Sequence, residues 1–275
     1  MAPKKTKSGW LSLLGFVIAL VGLMALQFAW LNISFSIAES MEWSEAARQT
    51  AQFVGYPLTL FIAALVVLVV WPNDARLDPV ELRDVDRQQL VAGLLLALPL
   101  AVVIATALQI VQLVFPVELS GGEVQIPQLT LLLGIVLLPA ISEEVLFRGW
   151  LGKRMIQWLG PSGGIVASSA CFGLFHIVPG SVIVTFLLGL VLHWVYYRTG
   201  SLLLAIVLHA ANNGLAFATS EAVSGVPLRL AVLALASCLL LVRIISGSRL
   251  SKFSWPVAAI WLVAFGIDFF RALMF

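Results

Sequence analysis

The sequence predicts an all-α protein, a polytopic transmembrane helical bundle of about nine spans. Two observations carry that expectation. Hydrophobic residues fill 61% of the 275 positions and charged residues only 11%, where a soluble domain is about half apolar and about a quarter charged. The mean hydropathy is +1.03. The apolar residues are also gathered into runs, several of them near the ~20 residues that a spanning helix needs. Such a chain has too few polar side chains to cover a water-facing surface, which excludes an ordinary soluble enzyme or a disordered protein. The formal charge is only +2. No basic run is long enough to track a phosphate backbone, so the lipid bilayer is an expected partner and nucleic acid is not.

The runs follow one another in order. The first, 10–32, lies behind Lys4, Lys5 and Lys7. It is too long for a signal-peptide core and reads as a retained anchor. The second and third, 53–71 and 90–115, are separated by a polar stretch that begins Pro72-Asn73-Asp74. Beyond Gly121-Gly122 come 129–147 and 163–179, with a turn signal between them at Gly160-Pro161-Ser162-Gly163. The break Val178-Pro179-Gly180-Ser181 leads into 181–197, followed by 201–219, 229–245 and 255–275. No Pro-rich or Gly/Ser-rich linker divides the chain. The expected organisation is an N-terminal membrane region of three spans over 1–128, a core over 129–220 that holds most of the intramembrane polar groups, and a C-terminal hairpin over 221–275.

Charge placement sets an expected orientation. With the N-terminus in the cytoplasm and nine alternating spans, twelve of the 16 Lys and Arg fall in inside segments. Only Arg48, Arg229 and Arg271 fall outside, and Arg148 lies near a span end. A basic N-terminus without a retrieval signal suits a prokaryotic plasma membrane. Cys171 and Cys238 sit in apolar runs outside any CxxC pair, so neither a thiolate metal site nor a disulfide framework is expected.

Ionisable groups inside spans are costly and mark function. Three clusters stand out. In Ile141-Ser142-Glu143-Glu144-Val145-Leu146-Phe147-Arg148, Glu144 and Arg148 are four apart and share a helix face. Glu143 points about 100° away from Glu144. One carboxylate can therefore be held by the guanidinium while the other faces a different space. An unpaired carboxylate in a low-dielectric pocket can take up a proton near neutral pH. The bland reading of the same residues is an ion pair that caps the fourth span. The second cluster is Phe172-Gly173-Leu174-Phe175-His176, and the third is His209-Ala210-Ala211-Asn212-Asn213, in which His209 and Asn213 share a face. Either could serve only as packing or interhelical glue. His193 has no partner at helical spacing and reads as interfacial beside Trp194 and Arg198. Asp268 and Arg271 are expected to pair. Trp71, Trp150, Trp158, Tyr196 and Tyr197 read as interface anchors.

Brought together, the three clusters supply a carboxylate, two imidazoles and an amide. Hydrolysis of a peptide bond needs an activated water, a stabilised oxyanion and a proton for the leaving amine. Glu143 with His176 can polarise water. His209 and Asn213 can hold the oxyanion, and Glu144 with Arg148 can fix the supporting helix. No Ser or Cys nucleophile is needed. Glu143, His176 and His209 could alternatively bind zinc as a two-His, one-carboxylate set, although the chain has no HExxH helix. The metal-independent version is favoured, because Asn213 suits an oxyanion hole better than a zinc site.

These residues resemble the CPBP family of intramembrane proteases (CAAX protease and bacteriocin-processing, or Abi, proteins), which includes the Rce-type CAAX prenyl endopeptidases. The family's Glu-Glu-xxx-Arg, Phe-xxx-His and His-xxx-Asn motifs stand here as Glu143-Glu144-xxx-Arg148, Phe172-xxx-His176 and His209-xxx-Asn213. Thr199-Gly200-Ser201-Leu202 is similar to a further conserved stretch. The resemblance covers about 129–220. It implies an intramembrane endopeptidase acting on a membrane-associated or lipid-modified peptide. Glu143 and His176 would activate water, and His209 and Asn213 would form the oxyanion hole. Glu144, Arg148 and Phe172 would support them. The family contains both metalloprotease and glutamate-dependent readings, so zinc stays open at this point. The same resemblance admits a non-proteolytic role in bacteriocin self-immunity or scaffolding. A transporter would require internal repeats, and none is visible.

Overall fold

The computed structural model describes residues 8–70, 87–114, 128–176, 179–219, 226–246 and 251–274. Lys4, Lys5, Lys7, Trp71, the stretch beginning Pro72, Gly121-Gly122 and Val178 lie outside them. Every element among the described residues is helical. The helices are α1 (Ser8–Ser40), α2 (Glu45–Val70), α3 (Arg87–Val114), α4 (Gln128–Leu131), α5 (Leu138–Glu144), α6 (Lys153–Phe175), α7 (Pro179–Thr199), α8 (Leu202–Thr219), α9 (Leu228–Ile245) and α10 (Ser251–Met274). Two π-helical stretches, Leu132–Leu137 and Val145–Gly152, continue α4 into α5 and α5 into α6. The chain is a polytopic all-α bundle.

Hydropathy explains the arrangement. Leu228, Val232, Leu235 and Leu239 on α9, and Ile260, Val263, Ile267 and Phe270 on α10, are large, apolar and exposed. They recur at three- and four-residue intervals, so each helix carries an outward apolar stripe. In water that stripe would be unfavourable, whereas in hydrocarbon it is solvated. The opposite faces form the core. Leu96 and Leu100 of α3, Leu192 of α7, Leu208 of α8 and Leu241 of α9 pack in one buried cluster. Leu23 of α1 and Leu60 of α2 join Phe147, Phe172 and Phe175 in another, next to the polar clusters.

The count of nine spans is not confirmed. Among the described residues, six helical runs are long and apolar enough to cross a membrane: Val21–Ser40, Arg87–Leu113, Leu129–Phe175, Ser181–Thr199, Leu228–Ile245 and Trp255–Ala272. Leu202–Phe217 is apolar but shorter. The largest departure is at the expected fourth and fifth spans, which lie in one run of 47 residues. A straight helix of that length would extend about 70 Å, against a hydrocarbon core of about 30 Å. The run instead breaks at Gly160, where φ is 75° and ψ 173°, a conformation open to glycine alone. A Cβ on Gly164 would stand 2.4 Å from the backbone of Ile156, so the chain folds tightly back there. The turn expected at Gly160-Pro161 is real. What was not expected is that the residues leading into it are helical.

The link between α7 and α8 is equally specific. Gly200 has φ 68°. The Thr199 hydroxyl accepts the Ser201 N–H at 3.2 Å, and the Ser201 hydroxyl accepts the Leu204 N–H at 3.1 Å, capping α8. Gly200→Ala places a Cβ in a left-handed conformation and is expected to cost about 1–2 kcal/mol. Thermal unfolding of the purified protein in detergent measures it, and an unchanged midpoint contradicts the reading of this turn.

Other expectations change once the helices are packed. His193 is not interfacial. It is fully buried, and its Nδ1 shares a 2.6 Å hydrogen bond with the Ser168 hydroxyl on α6. Its ring fills space beside Gly152, where a Cβ would lie 2.2 Å from its Cε1. Trp150 and Tyr196 are buried core residues, not interface anchors. Asp268 pairs with Arg229 of α9 at 2.6 Å, and no pairing with Arg271 is seen among the described residues. Sequence spacing favoured the neighbour on the same helix, but α9 packs along α10 and brings a closer cation. Cys171 and Cys238 are both free thiols.

Candidate active site

The three clusters meet at one place. α5 supplies Glu143 and Glu144, and the π-helical stretch that follows supplies Arg148. The end of α6 supplies Phe172 and His176, and α8 supplies His209 and Asn213. π-helical segments concentrate at functional sites, and the Glu pair lies between two of them.

Glu144 is held on two sides. Its Oε1 accepts from Arg148 Nη1 at 2.8 Å and from His209 Nδ1 at 2.8 Å. Arg148 also donates from Nη2 to the Gly189 carbonyl of α7 at 3.3 Å. Its guanidinium carbon lies 4.4 Å from the centre of the Phe172 ring. Glu144, Arg148 and Phe172 are each at most 1% exposed. The i, i+4 pair expected from sequence therefore exists. Its partnership with His209, 65 residues away, has no counterpart in helical spacing.

Glu143 points elsewhere, as the 100° rotation requires. Its Oε2 is 4.0 Å from His176 Nε2 and 3.9 Å from His209 Nε2. Both separations are too long for direct hydrogen bonds and fit a bridging water. The second nitrogen of each ring is engaged: His176 Nδ1 donates to the Phe172 carbonyl at 2.9 Å, and His209 Nδ1 donates to Glu144. Both rings are thus oriented with Nε2 toward Glu143. The Phe172 ring stands edge-on to both imidazoles, with centroid distances of 5.0 Å to His176 and 5.8 Å to His209. His176 is 28% exposed, against 5% for Glu143 and 3% for His209, so the gap opens past His176.

Asn213 is half-buried, and its amide makes a long 3.4 Å contact to the Ile135 carbonyl in the first π-helical stretch. Asn212 beside it is buried, and its Oδ1 has no hydrogen-bond partner among the described residues. The sequence signal that singles out Asn213 gives no indication of Ile135, whose backbone becomes available only through packing of α8 on that stretch.

The same side chains can be tested as a metal site. A tetrahedral zinc with bonds of about 2.0–2.2 Å sets neighbouring ligand atoms about 3.4 Å apart. The 4.0 and 3.9 Å separations are wider than that. Among the described residues no three His, Cys, Asp or Glu side chains form a metal-holding group. One carboxylate and two imidazoles are donors that zinc accepts, and a bound ion would draw them closer than they stand here.

Residues 125–215 match the family model described as Type II CAAX prenyl endopeptidase Rce1-like. No curated protein and no solved structure matches the chain. The matched segment is a third of the sequence and contains Glu143, Glu144, Arg148, Phe172, His176, His209 and Asn213 together. Over that segment the chain is similar to the Rce1-like endopeptidases, as its motifs indicated.

Proposed function

We propose that the chain is an intramembrane endopeptidase that hydrolyses a peptide bond of a membrane-associated or lipid-modified protein with a water held by Glu143. The observation that carries this reading is the gap between Glu143 Oε2 and the two Nε2 atoms, at 4.0 and 3.9 Å. A water there has two imidazole partners and a carboxylate able to take its proton.

The geometry supports the following roles. Glu143 removes a proton from the water as the oxygen attacks the scissile carbonyl, with His176 orienting that water. The carbonyl oxygen becomes an oxyanion, toward which the Asn213 amide and His209 Nε2 can donate. Because His209 Nδ1 already donates to Glu144, Nε2 can donate only when the ring is an imidazolium. The ring lies between the two carboxylates. Collapse of the intermediate breaks the C–N bond, and Glu143 returns its proton to the leaving amine. Arg148 holds Glu144, which fixes the His209 ring. No step requires a metal, although an added zinc requirement would revise the scheme. Lys153, Arg154 and Arg198 follow the Glu pair in sequence, so the expected orientation puts it near the cytoplasmic face of a prokaryotic plasma membrane.

Membrane N-terminal proteomics tests the proposal and needs no substrate to be chosen in advance. Cells carrying the wild type are compared with cells carrying Glu143→Gln at matched expression. New protein termini confined to the wild type are expected, and they identify substrates directly. Identical profiles with a retained wild-type phenotype would overturn proteolysis in favour of an immunity or scaffolding role.

A further inference from the structure

A second feature lies on the lipid-facing side of α6, α7 and α9. An apolar groove of about 300 Å³ is lined by Ile165, Leu190, Val191, Trp194 and Val242. None of these residues belongs to the hydrolytic cluster. One end of the groove is cationic. Arg198 follows Trp194 by one helical turn, and its guanidinium donates to the Ser246 carbonyl, one turn beyond Val242. Arg243 lies three residues before Ser246 on the same face of α9, and both arginines are exposed. On the neighbouring helix α3, Gln89 donates to the Ile245 carbonyl at 2.9 Å, which brings the exposed Arg87 to the same helix end. Three helix ends are thus tied at Ile245 and Ser246.

We propose that this groove is a binding site for an anionic phospholipid, with one acyl chain along Leu190, Val191, Trp194 and Val242 and its phosphate on Arg198 and Arg243. The apolar lining solvates a chain, and the guanidinium groups suit a phosphate at the depth where headgroups lie. A zwitterionic lipid fits the groove as well but brings its own cation to the arginines. Free phosphate meets the arginines but has no use for the groove. The inference is independent of the hydrolytic reading.

The test uses the full chain reconstituted in zwitterionic phosphatidylcholine vesicles. Phosphatidylglycerol or phosphatidylcholine with brominated acyl chains is titrated in, and tryptophan fluorescence is recorded. Trp194→Phe defines the quenching that belongs to the groove. That component is expected to favour the anionic lipid about thirtyfold, each arginine contributing about fivefold. Arg243→Gln alone should lower the preference about fivefold, and Arg198→Gln with Arg243→Gln should bring it near one. Arg243 is exposed, so the single variant keeps the test valid even where the double variant folds poorly. Added inorganic phosphate should leave the quenching unchanged. Equal quenching by the two lipids, a preference left undiminished by Arg243→Gln, no groove-specific quenching, or displacement by phosphate alone each overturns the proposal.

Discussion

Arg148→Ala is expected to lower the stability of the protein by about 3–5 kcal/mol, the range for removing one partner of a buried ion pair. Arg148 is 1% exposed and Glu144 is fully buried, so the carboxylate left behind has no access to water. The His209 imidazole remains as its only side-chain hydrogen-bond partner among the described residues. Part of the loss is packing, since the guanidinium lies 4.4 Å from the Phe172 ring centre and donates to Gly189. Arg148→Lys should recover little of it. A single ammonium cannot reach the Glu144 carboxylate and the Gly189 carbonyl while stacking on the ring. Thermal unfolding in detergent distinguishes the outcomes: a drop below about 1 kcal/mol for Arg148→Ala would mean that the pair does not hold this part of the bundle together.

Glu143→Asp should be almost as damaging to cleavage as Glu143→Gln, although it keeps the charge. Shortening the side chain by one methylene withdraws the carboxylate by about 1.5 Å. It then leaves the water that must also touch His176 and His209. Loss of a positioned general base costs about 10²–10⁴-fold in rate, and both variants are expected in that range. Cleavage rates in proteoliposomes, measured on a substrate found by terminal proteomics, check this. Unfolding midpoints near wild type for both variants separate it from the Arg148 effect. Near-normal activity of Glu143→Asp would show that the charge, and not the placement of the oxygen, is what matters.

Much of the bundle was legible in the chain because apolar runs report their own length. The Glu144–Arg148 pair was legible because helical spacing is local. The divergence of Glu143 from Glu144 was legible for the same reason. What failed was contact between helices. His193 has no hydrogen-bonding partner at i±3 or i±4 that spacing would suggest, yet Ser168 of a neighbouring helix bonds to it at 2.6 Å. Asp268 has Arg271 three residues away, yet binds Arg229. Trp150 has the amphipathic ring typical of an interface but packs in the core. At 129–175 the residues between two apolar runs continue the helix up to Gly160, which apolar runs alone do not report. Periodicity cannot show which helices become neighbours, and those residues depend on neighbours.

Phe172 gives the site a property of its own. One ring touches the guanidinium at 4.4 Å and lies edge-on to His176 and His209 at 5.0 and 5.8 Å. The side chains that hold the scaffold and those that face Glu143 therefore rest on a single shared surface. Their motifs are separated along the chain but not mechanically separable. Grafting one motif from a relative, or drifting at one of them alone, would disturb the seating of the other two.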